Sequence, residues 1–227
     1  MKAPTASSIK STSTTARWSF TYWGSLPTVG EGEVLRFESV TSTQDVAREL
    51  PVGSIVLADH QTAGRGRLDR MWDAPPGTAL LVSFVLMPNP VLSLGAGVAA
   101  AEACGENVRL KWPNDLLLDG RKLGGILVET KAGKAICGIG INLSWAPDGA
   151  AQLNESREEV LGRLRERILE WTAAPVDAVL ARWRERSATL GRRVRIDGVE
   201  GVAEDIGPRG ELIVDGVAYV TGSVTHL

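Results

Sequence analysis

Cysteine and histidine are scarce in this chain of 227 residues: Cys104, Cys137, His60 and His226 complete the inventory. No spacing among them suggests a structural metal site, and so few cysteines fit a reducing compartment. Net charge is close to absent as well. At −2, the overall balance carries no long-range attraction to nucleic acid or to an anionic membrane, so any basic site has to be local. There is also no long apolar run. The longest, over residues 91–104, is interrupted by Ser93, Gly95, Gly97 and Glu102, too short and too broken to span a bilayer. It reads as a core helix. Acids are missing from the start of the chain: none precedes Glu31, while Lys2, Lys10 and Arg17 lie among many Ser and Thr. Residues 1–30 therefore read as a flexible N-terminal arm or as an organelle presequence. No clear amphipathic helix can be drawn through them, which favours the arm.

What is present is ordinary globular composition, 44% hydrophobic and 23% charged, so the body of the chain should fold. From residue 34 strand and helix signals alternate with short gaps, which predicts a mixed α/β or α+β domain. Strands are expected at 34–37, 54–58, 79–86, 108–112, 116–118, 123–129 and 135–143. Ser42 is placed to cap a short helix that ends before Pro51. Residues 59–78 show no periodicity, and a loop of that length inside a compact domain is often functional. Residues 155–189 turn helical, with Leu161, Leu164, Ile168 and Trp171 on one face and a break at Ala174 and Pro175. From residue 192 short strands alternate with turns at Asp197–Gly198, 207–210 and Asp215–Gly216, the pattern of a small antiparallel barrel. The expected division is an arm over 1–30, a main domain over 31–189 and a small barrel over 190–227.

Three stretches carry chemistry. In residues 61–72 (QTAGRGRLDRMW), Gly64 and Gly66 let the backbone approach a ligand, and Arg65, Arg67 and Arg70 concentrate positive charge in an otherwise slightly acidic protein. An anion suits such a loop, though a solvated basic loop or a nucleic-acid patch would have the same charge. It is not a standard phosphate cradle, because the terminal Lys and Ser or Thr are missing. In residues 110–115 (LKWPND), Pro113 ends a strand and leaves Asn114 and Asp115 at its rim, either as oxygen ligands or as a plain turn. In residues 122–127 (KLGGIL), glycines interrupt an apolar strand. A regular pleat would put Lys122 on the same face as Gly124. Gly138, Gly140 and Asn142 repeat the pattern nearby, and together the two strands suggest a slot.

Taken in order, GRGRLDRMW, KWPND, KLGGIL, GIGIN at 138–142 and the pair Ser42, Thr43 resemble the signature of biotin protein ligases. The resemblance is dense over residues 34–143. It implies an α+β fold with a central mixed sheet flanked by helices, like that of class II aminoacyl-tRNA synthetases, and a C-terminal SH3-like barrel. It implies ATP and Mg2+ as cofactors, biotin as substrate and a biotin carboxyl carrier protein domain of a carboxylase as partner. Biotin would become biotinyl-5'-AMP and then pass to a carrier lysine.

Carried over by position, the resemblance implies that Ser42, Thr43, Gln44 and Gln61 bind the ureido ring. Gly125, Gly138 and Gly140 would line the apolar slot, and Gly64, Arg65, Gly66 and Arg67 would close over biotin and the phosphate. Lys122 would meet the carboxylate, which makes Lys122, Arg67 and Arg65 the catalytic set. Arg67, Arg70, Trp72, Lys111, Asn114, Asp115 and Asn142 would serve ATP. The metal ligands stay unassigned. No self-acylating nucleophile is needed, and no Ser, His and Asp or Cys and His arrangement is evident.

The chain departs from its relatives in three places. Gln44 stands where many relatives have Asn. The arm is too short for the helix-turn-helix domain that makes some relatives repressors. The segment 144–154 matches poorly, with Trp145 its one candidate for stacking. A lipoate or octanoyl ligase is the nearest alternative, disfavoured by the Arg-rich loop and Trp72. A non-catalytic nucleic-acid module is weakened by the acidic balance, and neither nucleic acid nor membrane is an expected partner. The expected compartment is the cytoplasm, or an organelle matrix if residues 1–30 are a presequence. Relatives often form homodimers.

Overall fold

The computed structural model describes residues 32–68 and 70–227; the expectation of an N-terminal arm over 1–30 lies outside them. The elements run β1 (Val34–Val40), α1 (Thr43–Ala47), β2 (Ile55–Gln61), β3 (Ala79–Leu86), α2 (Leu92–Cys104), β4 (Arg109–Lys111), β5 (Asp115–Leu118), β6 (Arg121–Lys131) and β7 (Lys134–Asn142). There follow α3 (Arg157–Ala173), α4 (Val176–Glu185), β8 (Arg193–Ile196), β9 (Val199–Ile206), β10 (Leu212–Val214), β11 (Val217–Tyr219) and β12 (Val224–His226). The first seven strands form one sheet in the order β1-β2-β3-β7-β6-β5-β4, and the last five a second in the order β11-β10-β9-β8-β12. Only β1 and β2 are parallel, so the large sheet is mixed and the small one wholly antiparallel. This is the expected α+β arrangement of a large mixed sheet with helices and a separate antiparallel sheet. Among the described residues no helix is long and apolar enough to cross a membrane.

The central helix α2 follows from its composition. Every residue but Ser93 and Glu102 is buried, as expected of a helix apolar on all sides. Glu102 is satisfied by the Trp171 indole at 2.9 Å and by Arg182 at 2.7 Å. Small residues let α3 lie close: a Cβ on Gly95 would stand 2.9 Å from the Trp171 carbonyl oxygen. Ser156 caps α3 by accepting from the Glu159 amide at 3.2 Å, and Glu158 and Glu159 occupy its first turn, where negative charge is favoured. The expected Asp-Gly turns are present at 197–198 and 215–216, and a third joins β5 to β6 at 119–120, each with both residues at positive φ.

The two sheets share one core, which runs from Leu94 and Leu110 to Val194, Ile206 and Leu212. Their junction is hydrogen-bonded. Residues 186–188 run along β4, with the Leu110 amide donating to Arg186 and the Ala188 amide to Leu110, both at 2.8 Å. The Trp112 amide donates to Thr189 Oγ1 and its indole to the Gly210 carbonyl, both at 3.0 Å.

Two expectations need correction. The strand expected at 54–58 continues to Gln61, which brings that side chain back to Thr43. Lys122 does not share a face with Gly124. Between β5 and β6 the register shifts, Leu116 opposing Gly124 while Leu117 opposes Lys122, so Leu123 is an extra residue. Such a bulge breaks the alternation of the pleat and turns Lys122 toward Gly125, whose Cβ would be 3.7 Å from Nζ.

The close approach of α2 and α3 is testable within one helix. Gly95→Ala should cost about 1–3 kcal/mol by pushing on backbone. At Gly97 an added Cβ meets only the Leu110 side chain, at 3.4 Å, and a Cδ atom of Ile126, at 4.0 Å. Gly97→Ala should therefore be neutral or stabilise by up to about 1 kcal/mol through helix propensity. Urea midpoints that move equally for both would show that the α2–α3 distance is not the cause.

Candidate active site

The site is built on the face of the large sheet where side chains are missing. In the β3-β7-β6 register Leu81, Gly140 and Gly125 stand side by side, as do Ser83, Gly138 and Leu127. The glycines leave room for what lies above them. A Cβ on Gly138 would stand 2.9 Å from the Gln44 amide nitrogen, and one on Gly140 2.7 Å from the Trp72 ring. A cavity of about 290 Å³ opens over this floor. It is bordered by α1 with its cap Ser42, by residues 65–68 and 70–73 of the loop, by the 111–115 turn and by residues 222–224.

The α1 end is polar and buried. Ser42 is the N-cap of α1 and accepts from the Gln44 amide at 3.3 Å. Gln61 Oε1 accepts from the Thr43 amide at 2.8 Å and from its hydroxyl at 3.0 Å, while Thr43 Oγ1 is 2.8 Å from Ser83 Oγ. Gln44 donates from Nε2 to the Leu127 carbonyl at 3.1 Å, and its Oε1 is buried without a partner. Turning the amide over would set two oxygens against each other, so the free atom is an acceptor. An unpaired buried acceptor is costly. It suits a ligand that brings an N–H group.

The cavity is also cationic, with Arg65 beside α1 and Arg67 and Arg70 reaching the small sheet. Arg65, Arg67, Arg70, Lys111 and Lys122 all line the cavity, but they are not equivalent. Arg65 pairs with Asp45 at 2.9 Å and Glu129 at 3.7 Å, and Arg48 bridges the same two acids at 2.8 and 2.6 Å. Burial works to raise the Asp45 pKa, yet Arg65 and Arg48 beside it hold the carboxyl below its ordinary value. The hydrogen bond that Arg65 donates to Asp45 raises the pKa of Arg65. Lys122 pairs with Asp115 at 2.6 Å. Among the described residues, no ion pair is made by Arg67, Arg70 or Lys111. Burial lowers the pKa of Arg67. Burial does the same for Lys111, where attraction to Asp115 is opposed by repulsion from Lys122 and Arg70. Asp115 offsets part of the charge at both, and Asp197 part at Arg67, but cations without ion pairs crowded at one mouth still call for an anion.

Of the residues expected at the site, all but Gly64 border this cavity. Gly64 sits at the base of the loop, where a Cβ would meet the Trp72 carbonyl oxygen at 2.2 Å; its amide partner across the loop is Trp72, whose N–H donates to Gly64 O at 2.9 Å. Asn114 holds the floor to the loop, donating to the Ile126 carbonyl at 2.9 Å and accepting from Arg67 at 3.3 Å. Asn142 is buried and donates to the Ala151 carbonyl at 3.0 Å, which fixes the following segment. From that segment Pro147 and Ala150 reach the cavity, while Trp145, like Trp72, packs against the cluster of Ala74, Ala79 and Leu81. Sequence reasoning missed Leu81, Ser83 and Leu127, whose signal is the strand register, and residues 222–224, which no linear pattern ties to the loop.

Comparison with known proteins gives the class first: residues 34–145 match the model of the Biotin/lipoate A/B protein ligase family. The biotin--[acetyl-CoA-carboxylase] ligase of Mycobacterium tuberculosis is 34% identical over 212 residues, 77% of this chain and 79% of that protein. The enzyme of that name from Paracoccus denitrificans is 34% identical over 72% of this chain and 84% of its own length. The biotin protein ligase of Aquifex aeolicus, solved in complex with biotin and ATP, superposes with a TM-score of 0.73 at 26% identity, covering 86% of this chain and 98% of that one. The chain belongs to the biotin protein ligase family.

Behind the cationic mouth, His226 lies beside Thr189, its Nε2 3.2 Å from Oγ1. Burial, with repulsion from Lys111 and Arg192, lowers its pKa to about 4. An unfolded histidine titrates near about 6.5, so below that pH the unfolded chain takes up a proton the folded one refuses. The His226 contribution is whole above pH about 6.5 and is lost as pH falls toward 4. Stability to urea should drop between pH 7 and 5, and His226→Gln should make that drop shallower. An unchanged slope in the variant would contradict the assignment.

Proposed function

We propose that this chain activates biotin with ATP and transfers it to a lysine of a biotin carboxyl carrier protein domain of a carboxylase. The observation that carries the reading is the union of one glycine-floored slot, a buried unpartnered acceptor beside α1 and a surplus of cations around the opening. The ureido ring of biotin offers N–H groups to Gln44 Oε1 and to the hydroxyl oxygens of Ser42 and Thr43. Its bicycle lies between the Gln44 side chain, which covers Gly138, and the Trp72 ring, which covers Gly140, beside Leu81 and Leu127. The carboxylate then emerges near Lys122.

In the first step a carboxylate oxygen attacks the α-phosphorus of ATP, forming a P–O bond as pyrophosphate leaves. Two anions must meet, and fixed cations make the approach possible. Arg67, Arg70, Lys111 and Lys122 supply them. Arg65 serves as the anchor of the loop, since its charge is already matched by Asp45 and Glu129. Magnesium enters with the nucleotide. No three His, Cys, Asp or Glu side chains gather into a metal site among the described residues, and phosphate-bound Mg2+ needs only one or two protein oxygens. Asp115 and Asn114 are the oxygens at hand. In the second step the carrier amine attacks the acyl carbon, loses a proton and expels AMP. Residues 64–72 and Trp72 keep water from the anhydride in the interval.

The finer features of the family complete the proposal. Residues 31–189 form a catalytic domain of the class II synthetase type and residues 190–227 an SH3-like barrel. The chain works in the cytoplasm and pairs as a homodimer.

Incubation with MgATP and either biotin or lipoate, followed by mass analysis, should yield biotinyl-5'-AMP and no lipoyl adenylate; the reverse yield would refute the substrate. Lys122→Ala or Arg67→Ala should slow adenylation about a hundredfold or more. Lys131→Ala, at the far end of β6, should leave the rate near that of the parent.

A further inference from the structure

The arginines of the 64–72 loop are held in two chemically different ways. Arg65 is gripped by carboxylates. Arg67 and Arg70 are gripped by neutral oxygens, two of them from the other sheet. Arg67 donates from Nη2 to Thr221 Oγ1 at 2.9 Å and from Nη1 to Asn114 Oδ1 at 3.3 Å. Arg70 donates from Nη2 to Ser223 Oγ at 3.2 Å. The two hydroxyls flank Gly222, in the connection between β11 and β12. Gly222 is buried, with φ at +146°, and a Cβ there would stand 2.9 Å from the Ile196 side chain and 3.0 Å from Asp197 Oδ2. The Ser223 amide donates to Asp197 Oδ1 at 3.4 Å. The connection is therefore shaped from below by β8 and its turn, and it presents Thr221 and Ser223 to the loop.

A carboxylate in either place would hold a guanidinium and cancel its charge at once. A hydroxyl holds it without pairing its charge, and Asp115 and Asp197 act on Arg67 without an ion pair. Each arginine keeps further N–H donors for an incoming phosphate, since a guanidinium carries five. We infer that Thr221 and Ser223 are positioning residues for adenylation, using the small sheet to hold Arg67 and Arg70 over the cavity without neutralising them. The inference rests on the proposed function, and it gives the C-terminal sheet a part in the chemistry.

The test is the double variant Thr221→Val with Ser223→Ala in the full chain. Two readouts are needed. Trypsin cleavage after Arg67 and Arg70, followed by mass analysis, should become several times faster as the loop loses its hold. The kcat/KM of biotinyl-adenylate formation with respect to MgATP should fall about tenfold, the scale of a misplaced binding group. Melting temperature and calorimetric Kd for biotin alone should match the parent. Thr221→Ser should behave as the parent in both readouts. Thr221→Asp with Ser223→Asp separates holding from charge: cleavage should stay slow while adenylation drops at least as far as in the hydroxyl-free variant. If the hydroxyl-free variant matches the parent in either readout, the inference is overturned. A parent that makes no biotinyl-adenylate overturns the function reading and this inference with it; a parent that does, beside a parent-like double variant, overturns this inference alone.

Discussion

The absence of side chains over a small area of the large sheet is the constraint on which the rest depends. Gly125 and Gly140 oppose each other across β6 and β7, and Gly138 lies two residues away on the same face. Without that bare floor, neither Gln44 nor the Trp72 ring could come within van der Waals contact of the backbone. The same emptiness lets α1, only five residues long, deliver three consecutive polar side chains to a buried place. A short helix of this kind is marginal by itself. Its position is secured by the Ser42 cap and by the hydrogen bonds of Thr43 to Gln61 and Ser83.

Charge is distributed unevenly around that floor: Arg48 and Arg65, which anchor α1 and the loop, are ion-paired, Arg67 and Arg70 are not, and Lys122 acts from a pair with Asp115. Arg48, Arg65, Asp45 and Glu129 form a closed group of two positive and two negative side chains. Partly buried networks of this kind fix geometry more than they add stability. Beyond Arg65 the loop meets only neutral oxygens at Arg67 and Arg70. The change from matched to unmatched charge occurs within five residues of sequence. It marks where structure hands over to chemistry.

Much of this was legible in the sequence, for identifiable reasons. The Asp-Gly turns are local, because two residues determine the geometry. The identity of α2 followed from its small apolar residues, and β3 has the ends expected from its strand character at 79–86. Motifs rich in Gly and Arg located the loop. What stayed hidden depended on pairing at a distance. The bulge at Leu123 exists only because β5 meets β6 with an offset, and it moved Lys122 from the side of Gly124 to that of Gly125. Thr221 and Ser223 lie about 150 residues from the arginines they contact, in a stretch whose composition says only turn and strand. The ionic commitment of Arg65 was likewise invisible, since Asp45 and Glu129 belong to different elements.

The hydrogen-bonded strip formed by residues 186–188 has a consequence for the behaviour of the polypeptide in bulk. β4 ends the large sheet, and a terminal strand with unmet amides and carbonyls invites pairing with neighbouring molecules. Here the stretch leading out of α4 satisfies Leu110 from the outside, and the five strands that follow lock it in place through Trp112. Truncation after α4 would thus do more than remove a module: it would uncover an adhesive border, and the remnant should be lost to precipitation before any deficit in turnover could be read.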